Sequence, residues 1–280
     1  MHTVRVFHHR HREITVRLAG RAGERLPEVE EDFLSQSQAT IDIVGQVLET
    51  IEGVQRQRPA NGHPFVTLSW AQSLDGSIAL EAGRKFALSG GESLALTHAL
   101  RASHDAILVG IDTLLADDPE LGVRHWPGPW PAPVILDSRL RTPPTARLLA
   151  ASEPRPIRIV CTASADERLG SPLQARGAQI LRMAAWPNGW VDLEALLTAL
   201  AASGIKRLMV EGGAKVLTSF LRARLGDYAV VTVAPRLLGG LAAVGTLEHG
   251  QLPRLSSPSS FRLADDFVLS GALRWGTDGG

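Results

Sequence analysis

The chain has 280 residues, of which 44% are apolar and 21% are charged, and its 29 basic side chains balance its 29 acidic ones. This composition excludes a mainly disordered chain and provides no basic excess to drive binding to nucleic acid or to a membrane surface. The single cysteine, Cys161, excludes an internal disulfide and any zinc site that needs two thiolates. No apolar run reaches the roughly 20 residues of a membrane span, so we expect a cytoplasmic protein.

The N-terminal part of the chain begins with two predicted strands. Residues 3–7 and 13–18 alternate apolar and polar side chains, as half-buried strands do. The histidine-rich stretch 8–11 between them could bind a metal, but no Asp, Glu or Cys completes a ligand set there. A solvated turn or a disordered leader explains these histidines better, and we predict no metal site.

A helix is predicted next, because apolar residues recur at every third or fourth position over residues 28–57. Two internal glycines weaken or break this helix. Residues 58–64 contain prolines, a glycine and an asparagine and have the composition of a linker. We therefore expect a small N-terminal appendage of unknown role over residues 1–62, followed by a larger domain over residues 63–276.

Beyond residue 64 the chain alternates predicted strands and helices, which indicates an α/β fold with a mostly parallel mixed sheet flanked by helices. A capping box, with Ser89 as the N-cap and Glu92 three residues later, predicts the start of the first of these helices. A C-terminal antiparallel hairpin closes the pattern. The predicted strands are 65–68, 106–109, 133–136, 157–160, 207–210 and 228–233, the helices are 89–101, 192–203 and 214–224, and the hairpin is 261–273.

The sharpest local signal for chemistry is a strand that ends in two glycines and then opens a helix, residues 210–215. Glycines at such a turn let the backbone approach a ligand closely, and the free N–H groups of the helix start favour a phosphate. The segment lacks the glycine spacing of a P-loop or of a dinucleotide fingerprint. A diphosphate is the ligand that suits it, and a purely structural turn explains the same residues about as well.

A second polar cluster follows the predicted strand 106–109. We expect a loop there that carries Thr113, Asp117 and Asp118 at the carboxyl end of the strand, where open α/β sheets bind ligands. The adjacent carboxylates are more typical of a capped turn than of a metal site. Arg101 and Arg124 flank this loop and could hold a phosphate or carboxylate between them, unless each only forms a surface ion pair.

Nucleophilic catalysis lacks support in the sequence. There is no G-x-S-x-G segment, and Cys161 lies inside an apolar strand with no histidine partner in view. His98 and His104 stand within and just beyond a predicted helix, and we interpret both as solvated or hydrogen-bonded scaffold residues.

Taken in order, these segments resemble the reductases that act on the riboflavin-pathway pyrimidine and share the dihydrofolate reductase-like fold. The resemblance covers about residues 63–275, and the N-terminal part contains no cysteine for the zinc deaminase found in bifunctional members. The matching segments are 65–68 with 71–76, 98–101, 105–110, 113 with 115–119, 136–139, 210–213, and 233–235 with 237–240.

The resemblance implies a hydride transfer from NADPH to C1 of an opened ribosylamino sugar, in a phosphoribosylamino-pyrimidine, to give the ribitylamino product. It also implies a homodimer, and it leaves Asp75 and Glu211 as the carboxylates to consider for the proton. The residues that match the NADPH contacts are Ala71, Ala87, Thr113, Asp117, Ser138, Gly212, Gly213, Ala214, Lys215, Val216, Leu217, Thr218 and Ser219, and those that match the substrate contacts are Lys85, Arg101, Leu121, Arg124 and Glu211.

Two alternatives stay open. Ser69 stands where many of these reductases carry a lysine near the substrate, so the chain could be a paralogous reductase of a related heterocycle or a non-catalytic NADPH-binding protein. On charge and position alone, Arg139 or Arg141 could meet the 2′-phosphate that distinguishes NADPH from NADH.

Overall fold

The structure is a computed structural model that describes residues 2–7, 13–18, 36–83, 86–150, 155–248 and 252–276. Strand β1 (His2–Phe7) pairs antiparallel with β2 (Glu13–Leu18), which confirms the two strands predicted near the N-terminus. The histidine-rich stretch between them lies outside the described residues.

Helix α1 (Gln38–Gln57) begins after Ser37, whose side chain accepts a hydrogen bond from the backbone N–H of Thr40. The helix runs through Gly45 and Gly53 without a break, although both glycines lower its intrinsic propensity. Tertiary packing compensates, because one face of the helix is buried in the core. The predicted residues before 36 lie outside the described part of the chain.

A nine-stranded mixed sheet forms the centre of the molecule. Its strands are β3 (Phe65–Ser73), β5 (Ala106–Gly110), β6 (Ala132–Leu136), β7 (Arg158–Thr162), β8 (Gln179–Met183), β9 (Arg207–Glu211), β10 (Tyr228–Ala234), β12 (Pro253–Leu263) and β13 (Asp266–Trp275), and the short strands β4 (Ser77–Ala79) and β11 (Leu241–Ala242) pair separately.

The strand order is β12-β13-β10-β3-β9-β5-β6-β7-β8. All pairs from β10 to β8 are parallel, whereas β13 is antiparallel to both β10 and β12. This arrangement confirms the predicted α/β class, the mostly parallel mixed sheet and the C-terminal antiparallel hairpin, which is longer at both ends than predicted. The parallel strands bring their carboxyl ends to one edge of the sheet, where a ligand site is expected.

Helices cover both faces of the sheet. This is expected, because the centres of the parallel strands are apolar on both faces and must be shielded from water. The helices are α2 (Gly91–Ser103), α3 (Ile111–Asp117), α4 (Ser171–Gln174), α5 (Leu193–Ala202) and α6 (Ala214–Arg222), with two 3-10 turns at Arg147–Ala150 and Glu167–Leu169. Among the described helices, none is long and apolar enough to span a membrane.

Alternation along the strands divides the core between the two faces. On β9, Leu208 and Val210 belong to the apolar cluster with α5 and α6, whereas Met209 packs in the cluster that contains α1 and α2. Val44 and Ile51 of α1 are buried in this second cluster. The boundary predicted after residue 62 would separate α1 from its own core, and we propose instead that the larger domain begins with α1.

Two local predictions are wrong. Helix α2 begins at Gly91 with Gly90 as its N-cap and no side-chain cap from that residue, so Ser89 and Glu92 form no capping box. The carboxylate of Asp266 takes its place, accepting the backbone N–H of Gly90 at 2.9 Å and the hydroxyl of Ser93 at 2.7 Å.

The segment after β5, predicted as a loop, is instead helix α3. Buried Ile111 and Leu114 anchor it, and Asp118 ends it in the left-handed region with φ 41°. The apolar pair was visible in the sequence, but the helix is too short for a periodic pattern to predict.

Candidate functional site

The turn between β9 and α6 lies against α3 at the carboxyl edge of the sheet. The backbone N–H of Gly213 donates to the hydroxyl of Thr113 at 3.1 Å. A Cβ at residue 213 would lie only 3.0 Å from that hydroxyl oxygen, and a Cβ at Gly212 would lie 3.2 Å from Cβ of Val216. The two glycines therefore permit a close approach of backbone to neighbouring side chains, and the structure brings the predicted residues Thr113 and Gly213 together.

The start of helix α6 has the features that a dinucleotide diphosphate needs. Its N-cap, Gly213, has no side chain to satisfy the first N–H groups, and exposed Lys215 adds a positive charge in the first turn. The uncapped N–H groups and the turn without a Cβ fit a diphosphate. The residues present are therefore compatible with the predicted dinucleotide cofactor.

The other predicted cofactor residues of α6 differ in burial. Leu217 is fully buried, and the Thr218 hydroxyl donates to the carbonyl of Ala214 at 2.6 Å while accepting the N–H of Gly245 at 2.8 Å. Both side chains therefore face the interior, and the N–H of Leu217 already donates to the carbonyl of Gly213, so neither residue offers a free donor to a ligand. Ala214, Val216 and Ser219 are half-buried.

A carboxylate links two cations beside this turn. Asp112, on α3, accepts from Nη2 of Arg141 at 2.8 Å through one oxygen and from Nζ of Lys215 at 2.8 Å through the other. These hydrogen bonds lower the pKa of Asp112, so it is ionised at neutral pH. Lys215 was predicted as a site residue. Its ion pair with Asp112, and the ion pair of Asp112 with Arg141, join three segments that are distant in the sequence and could not be predicted from a local pattern.

Arg101 and Glu211 form a bidentate pair between α2 and the end of β9. Nε of Arg101 donates to Oε2 of Glu211 at 2.8 Å and Nη2 donates to Oε1 at 2.5 Å, while Nη1 donates to the carbonyl of Gly122 at 2.9 Å. The Arg101 side chain is only 11% exposed. Its three donor groups are all engaged within the protein, so the structure favours the ion pair over the two-arginine clamp that the sequence suggested.

Arg124 is the more accessible of the two predicted substrate arginines. Its side chain is 48% exposed, and its Nη1 donates to Oε2 of Glu120 at 2.7 Å. The other oxygen of Glu120 accepts from Arg147 at 2.5 Å. Two guanidinium groups therefore flank one carboxylate at the surface, and sequence reasoning missed Arg147 because it lies in a short turn without a motif.

His98 holds the backbone of Arg124 in place. Its Nδ1 accepts the Arg124 N–H at 2.9 Å, which fixes the tautomer with the proton on Nε2, and the ring of His125 stands edge-on at a centroid distance of 4.8 Å. Burial, assisted by the neighbouring charge of Arg101, lowers the pKa of His98 to about 2. The histidine is thus a neutral hydrogen-bonded scaffold residue, as predicted.

His104 has the same kind of role in the core. Its Nδ1 lies 2.6 Å from the carbonyl of Leu100 and its Nε2 lies 2.8 Å from the hydroxyl of Thr67. Burial lowers the pKa of His104 to about 4. The scaffold role predicted for this residue is confirmed.

The segment before Arg124 is fixed by a residue that the sequence did not single out. Leu121, a predicted substrate contact, is buried with φ 56°, an unusual conformation for a residue with a side chain. Arg155 donates to the carbonyls of Glu120 and Leu121, the second at 2.7 Å, and packs over the ring of Trp130 at 4.8 Å. These contacts fix the backbone at Leu121, and its role as a substrate contact stays a prediction.

Asp75 forms a turn rather than a free acid. Its carboxylate accepts from the Ser73 hydroxyl at 2.5 Å and from the backbone N–H groups of Leu238 and Gly239 at 3.0 and 2.6 Å. These hydrogen bonds, the one from Ser73 foremost, hold the pKa of Asp75 well below its usual range. A carboxylate that is ionised and fully engaged favours a structural role over the predicted catalytic one.

The remaining predicted residues of the described part of the chain lie in or beside several different elements. Ala71 is in the last part of β3, Ala87 is exposed before α2, Asp117 ends α3, and Ser138 follows β6, with its carbonyl accepting from Thr162. Lys85 lies outside the described residues. In the described part of the chain, no three His, Cys, Asp or Glu side chains are placed to hold a metal ion.

Comparison with known proteins gives one family over most of the chain. Residues 64–269 match the RibD C-terminal domain. The chain is 37% identical over 215 residues to a 2,5-diamino-6-ribosylamino-4(3H)-pyrimidinone 5′-phosphate reductase of Methanothermobacter thermautotrophicus, covering 74% of this chain and 96% of that protein. It is also 37% identical over 185 residues to the riboflavin biosynthesis protein RibD of Aquifex aeolicus, of which it spans half the length.

Solved structures agree with the sequence matches. The riboflavin biosynthesis reductase Rib7 of Saccharomyces cerevisiae superposes with a TM-score of 0.64 at 27% identity, covering 82% of this chain and 98% of that one. RibD of Acinetobacter baumannii superposes with the same TM-score of 0.64 at 28% identity, over 76% of this chain and 59% of that one.

Proposed function

The chain belongs to the RibD C-terminal domain family of pyrimidine reductases, and from this premise we propose that it is an NADPH-dependent reductase. Its substrate would be a phosphoribosylamino-pyrimidine, and its product the ribitylamino compound. One observation carries the proposal. At the end of β9, Glu211 forms an ion pair with Arg101, and two residues later the glycine turn opens α6 without a side-chain cap. A diphosphate site and a charged substrate site thus share one strand.

The cofactor half of the site is proposed on the glycine turn. Gly213 and the first N–H groups of α6 would hold the diphosphate, with Thr113 and Lys215 beside it. When bound, NADPH supplies the hydride for the reaction. The protein's part is to fix the diphosphate without a bulky side chain in the way, and so to set the position of the reactive end relative to the substrate.

The substrate half is proposed on the α2 side of the same edge. Ser69 of β3 lies opposite Glu211 of β9 in the parallel register, so both side chains stand on one face of the sheet next to Arg101. Ser69 is small and 6% exposed, so it adds little bulk to this face of the sheet. We propose that Glu211, fixed by two hydrogen bonds from Arg101, orients the opened sugar and relays a proton.

The proton is needed because reduction adds a hydride to C1 of the opened sugar and a proton to the nitrogen bonded to it. We propose that Glu211, whose side chain is 25% exposed, passes this proton from water. Asp75 already accepts from four protein donors, so its predicted catalytic role stays a prediction to which the hydrogen bonding gives no support.

We propose that the phosphate of the substrate binds Arg124 at the protein surface. Arg124 carries the exposed guanidinium, with Arg147 on the other oxygen of Glu120. A phosphate can displace Glu120 from either arginine, because phosphate oxygens form charge-assisted hydrogen bonds at least as strong. Arg101 is then a positioning residue for Glu211 rather than a phosphate ligand.

The test measures NADPH oxidation with the deaminated and the undeaminated pyrimidine ribosylamine phosphates in parallel. Turnover of either supports the reductase and identifies its substrate. Binding of NADPH with turnover of neither indicates a paralogue or a binding protein.

Glu211→Gln should lower kcat by about 100-fold or more, whereas Glu194→Gln, on the exposed side of α5, should not. Light scattering tests the homodimer that the family resemblance implies.

A further inference from the structure

The proposed phosphate ligand, Arg124, lies in a long connection without regular structure. This connection, residues 118–131 between α3 and β6, lies wholly within the described part of the chain and contains no helix or strand. Because such a segment has no ladder of backbone hydrogen bonds, other contacts must fix its conformation. Leu121 shows that they do, since its φ of 56° is rare for a residue with a side chain and persists only where the surroundings enforce it.

One guanidinium group joins the two ends of this connection. Arg155, in the segment before β7, donates through Nη2 to the carbonyl of Glu120 and through Nη1 to that of Leu121 at 2.7 Å. The same Nη1 donates to the carbonyl of Pro131 at 3.2 Å, at the other end of the connection. A planar guanidinium with several fixed donors can serve three carbonyls at once, whereas the ammonium of a lysine lacks this fork.

Trp130 packs the connection against the same side chain. The guanidinium carbon of Arg155 lies 4.8 Å from the centroid of the Trp130 ring. Gly122 lies so close to that ring that a Cβ there would stand 2.4 Å from Cζ3 of Trp130. The three residues therefore form one contact group, and a shift of residues 120–122 would displace the guanidinium or the ring.

Helix α2 holds the rest of the segment from the other side. Nη1 of Arg101 donates to the carbonyl of Gly122 at 2.9 Å, and Nδ1 of His98 accepts the N–H of Arg124 at 2.9 Å. The backbone that leads to Arg124 is thus fixed by α2 at residues 122 and 124, and by Arg155 at residues 120 and 121.

We propose that Arg155 is a positioning residue that directs Arg124 toward the phosphate of the substrate. The inference rests on the proposed function and deepens it, because Arg124 is the proposed phosphate ligand. Arg155 holds the carbonyl of Glu120, and the carboxylate of Glu120 accepts from Nη1 of Arg124 at 2.7 Å. Both Nη groups of Arg155 already donate to carbonyls, so its task is to hold the backbone. A guanidinium that is in place before the phosphate arrives loses less entropy on binding.

Calorimetric titration with ribose 5-phosphate tests the inference without any turnover. Arg155→Ala should weaken binding of this probe about 10-fold or more. Arg155→Lys should weaken it by an intermediate amount, about three- to tenfold, because lysine keeps the charge but not the fork. Both variants should bind NADPH within about twofold of the wild-type protein, which shows that they are folded.

Arg182→Ala is the matched control. Arg182 also donates to loop carbonyls, those of Ala163 at 3.5 Å and Ala165 at 2.8 Å, but it lies on the edge strand β8 and the loop that it holds follows β7. Its replacement should change neither affinity. A loss of the probe as large as that in Arg155→Ala would show that any loosened loop weakens binding, and would overturn the inference.

A double-mutant cycle separates positioning from a direct contact. Arg124→Ala should weaken binding of the probe about 10-fold or more, and adding Arg155→Ala should cause little further loss, since Arg155 acts only through Arg124. The cycle is also run with Arg155→Lys, which keeps it decisive where the alanine variant does not fold.

The outcomes distinguish this inference from the proposed function. Losses that multiply in the double variant, or unchanged affinity in the Arg155 variants, would overturn the inference and leave Arg124 as the phosphate ligand. An Arg124→Ala variant that binds the probe like the wild-type protein would overturn the proposed phosphate site itself, and this inference with it. Wild-type protein that binds NADPH but not the probe would do the same.

Discussion

Gly213 is the residue on which the diphosphate site depends. Its φ of −68° is open to any residue, so the requirement for glycine comes from space alone, because a Cβ would lie 3.0 Å from the Thr113 hydroxyl oxygen. NADPH at about 100 times its dissociation constant should stabilise the wild-type protein by about 2.7 kcal/mol. Gly213→Val should lose this protection, which a melting curve with and without NADPH measures.

The matched control for that substitution is Gly53→Val on α1, where an added Cβ meets nothing within 4 Å. It should keep the full effect of NADPH. Retained protection in Gly213→Val would mean that the glycine turn is structural only.

His98 makes stability depend on pH. The unfolded chain takes up a proton near pH 6.5, while burial keeps the folded histidine neutral down to about pH 2. Between these values the unfolded state binds more protons, so the free energy of unfolding falls as the pH falls, by about 1.4 kcal/mol per pH unit at most for one histidine. His104, with a folded pKa of about 4, adds a second such slope from pH 6.5 downward.

Urea unfolding at pH 7, 6 and 5 measures this dependence. His98→Asn should remove about half of the slope, because asparagine can still accept the N–H of Arg124 through its amide oxygen but does not titrate. An unchanged slope in this variant would show that His98 is protonated in the folded protein.

At the scale of single residues, the sequence predicted which residues lie together at one place better than it predicted the contacts that they make. Thr113, Gly213 and Lys215 were predicted from motifs and lie together. The pairing of Arg101 with Glu211 was not predicted, because it joins residues 110 positions apart, and a charge pattern cannot distinguish an arginine that binds phosphate from one that binds a carboxylate.

Among the elements, α2 shows how a helix start can be stabilised from a distant strand. Asp266, the first residue of β13 and almost fully buried, accepts from the Gly90 N–H and the Ser93 hydroxyl with one oxygen. Asp266→Ala should lower the free energy of unfolding by about 1–3 kcal/mol, because it leaves two donors without their partner. Urea unfolding measures the loss.

The adjacent residue provides the control. Asp265 is 91% exposed and contacts only Arg262 at 4.0 Å among the ion pairs of the described residues, so Asp265→Ala should change stability by less than about 0.5 kcal/mol. Asp266→Asn should recover part of the loss, since its amide oxygen can still accept. Equal effects of the two alanine variants would contradict the capping role.

The same helix explains why elements were easier to predict than their ends. The apolar runs of β5, β6 and β9 identify buried parallel strands, and the structure has them within a residue of the predicted bounds. The start of α2 was misplaced because its cap comes from Asp266, whereas a capping box is recognised only within one segment. Boundaries set by tertiary contacts have no local pattern.

At the scale of the whole molecule, α1 is part of the core although it precedes the family match, which begins at residue 64. Its C-cap residue, Arg58, forms an ion pair with Asp227 at 2.6 Å, and the same carboxylate accepts the N–H of Val66 at 2.8 Å. The start of β3, the end of α1 and the start of β10 are therefore fixed at one point. Sequence periodicity predicted the helix but could not say which surface it covers.

Ile51 tests whether α1 and the sheet unfold as one unit. Its side chain is 3% exposed, within the cluster that includes Leu96 of α2 and Met209 of β9. Ile51→Ala should lower the free energy of unfolding by about 2–5 kcal/mol through lost burial and the cavity left behind. Because the cavity would lie inside the shared core, Ile51→Ala should lower the melting temperature of the same cooperative transition that NADPH raises. Glu49→Ala, on the exposed face of α1, is the control and should leave this melting temperature unchanged. An N-terminal appendage that folds separately would instead give a second transition at lower temperature in Ile51→Ala, and the NADPH-sensitive melting temperature would stay unchanged. Calorimetry of both variants with and without NADPH distinguishes the two cases.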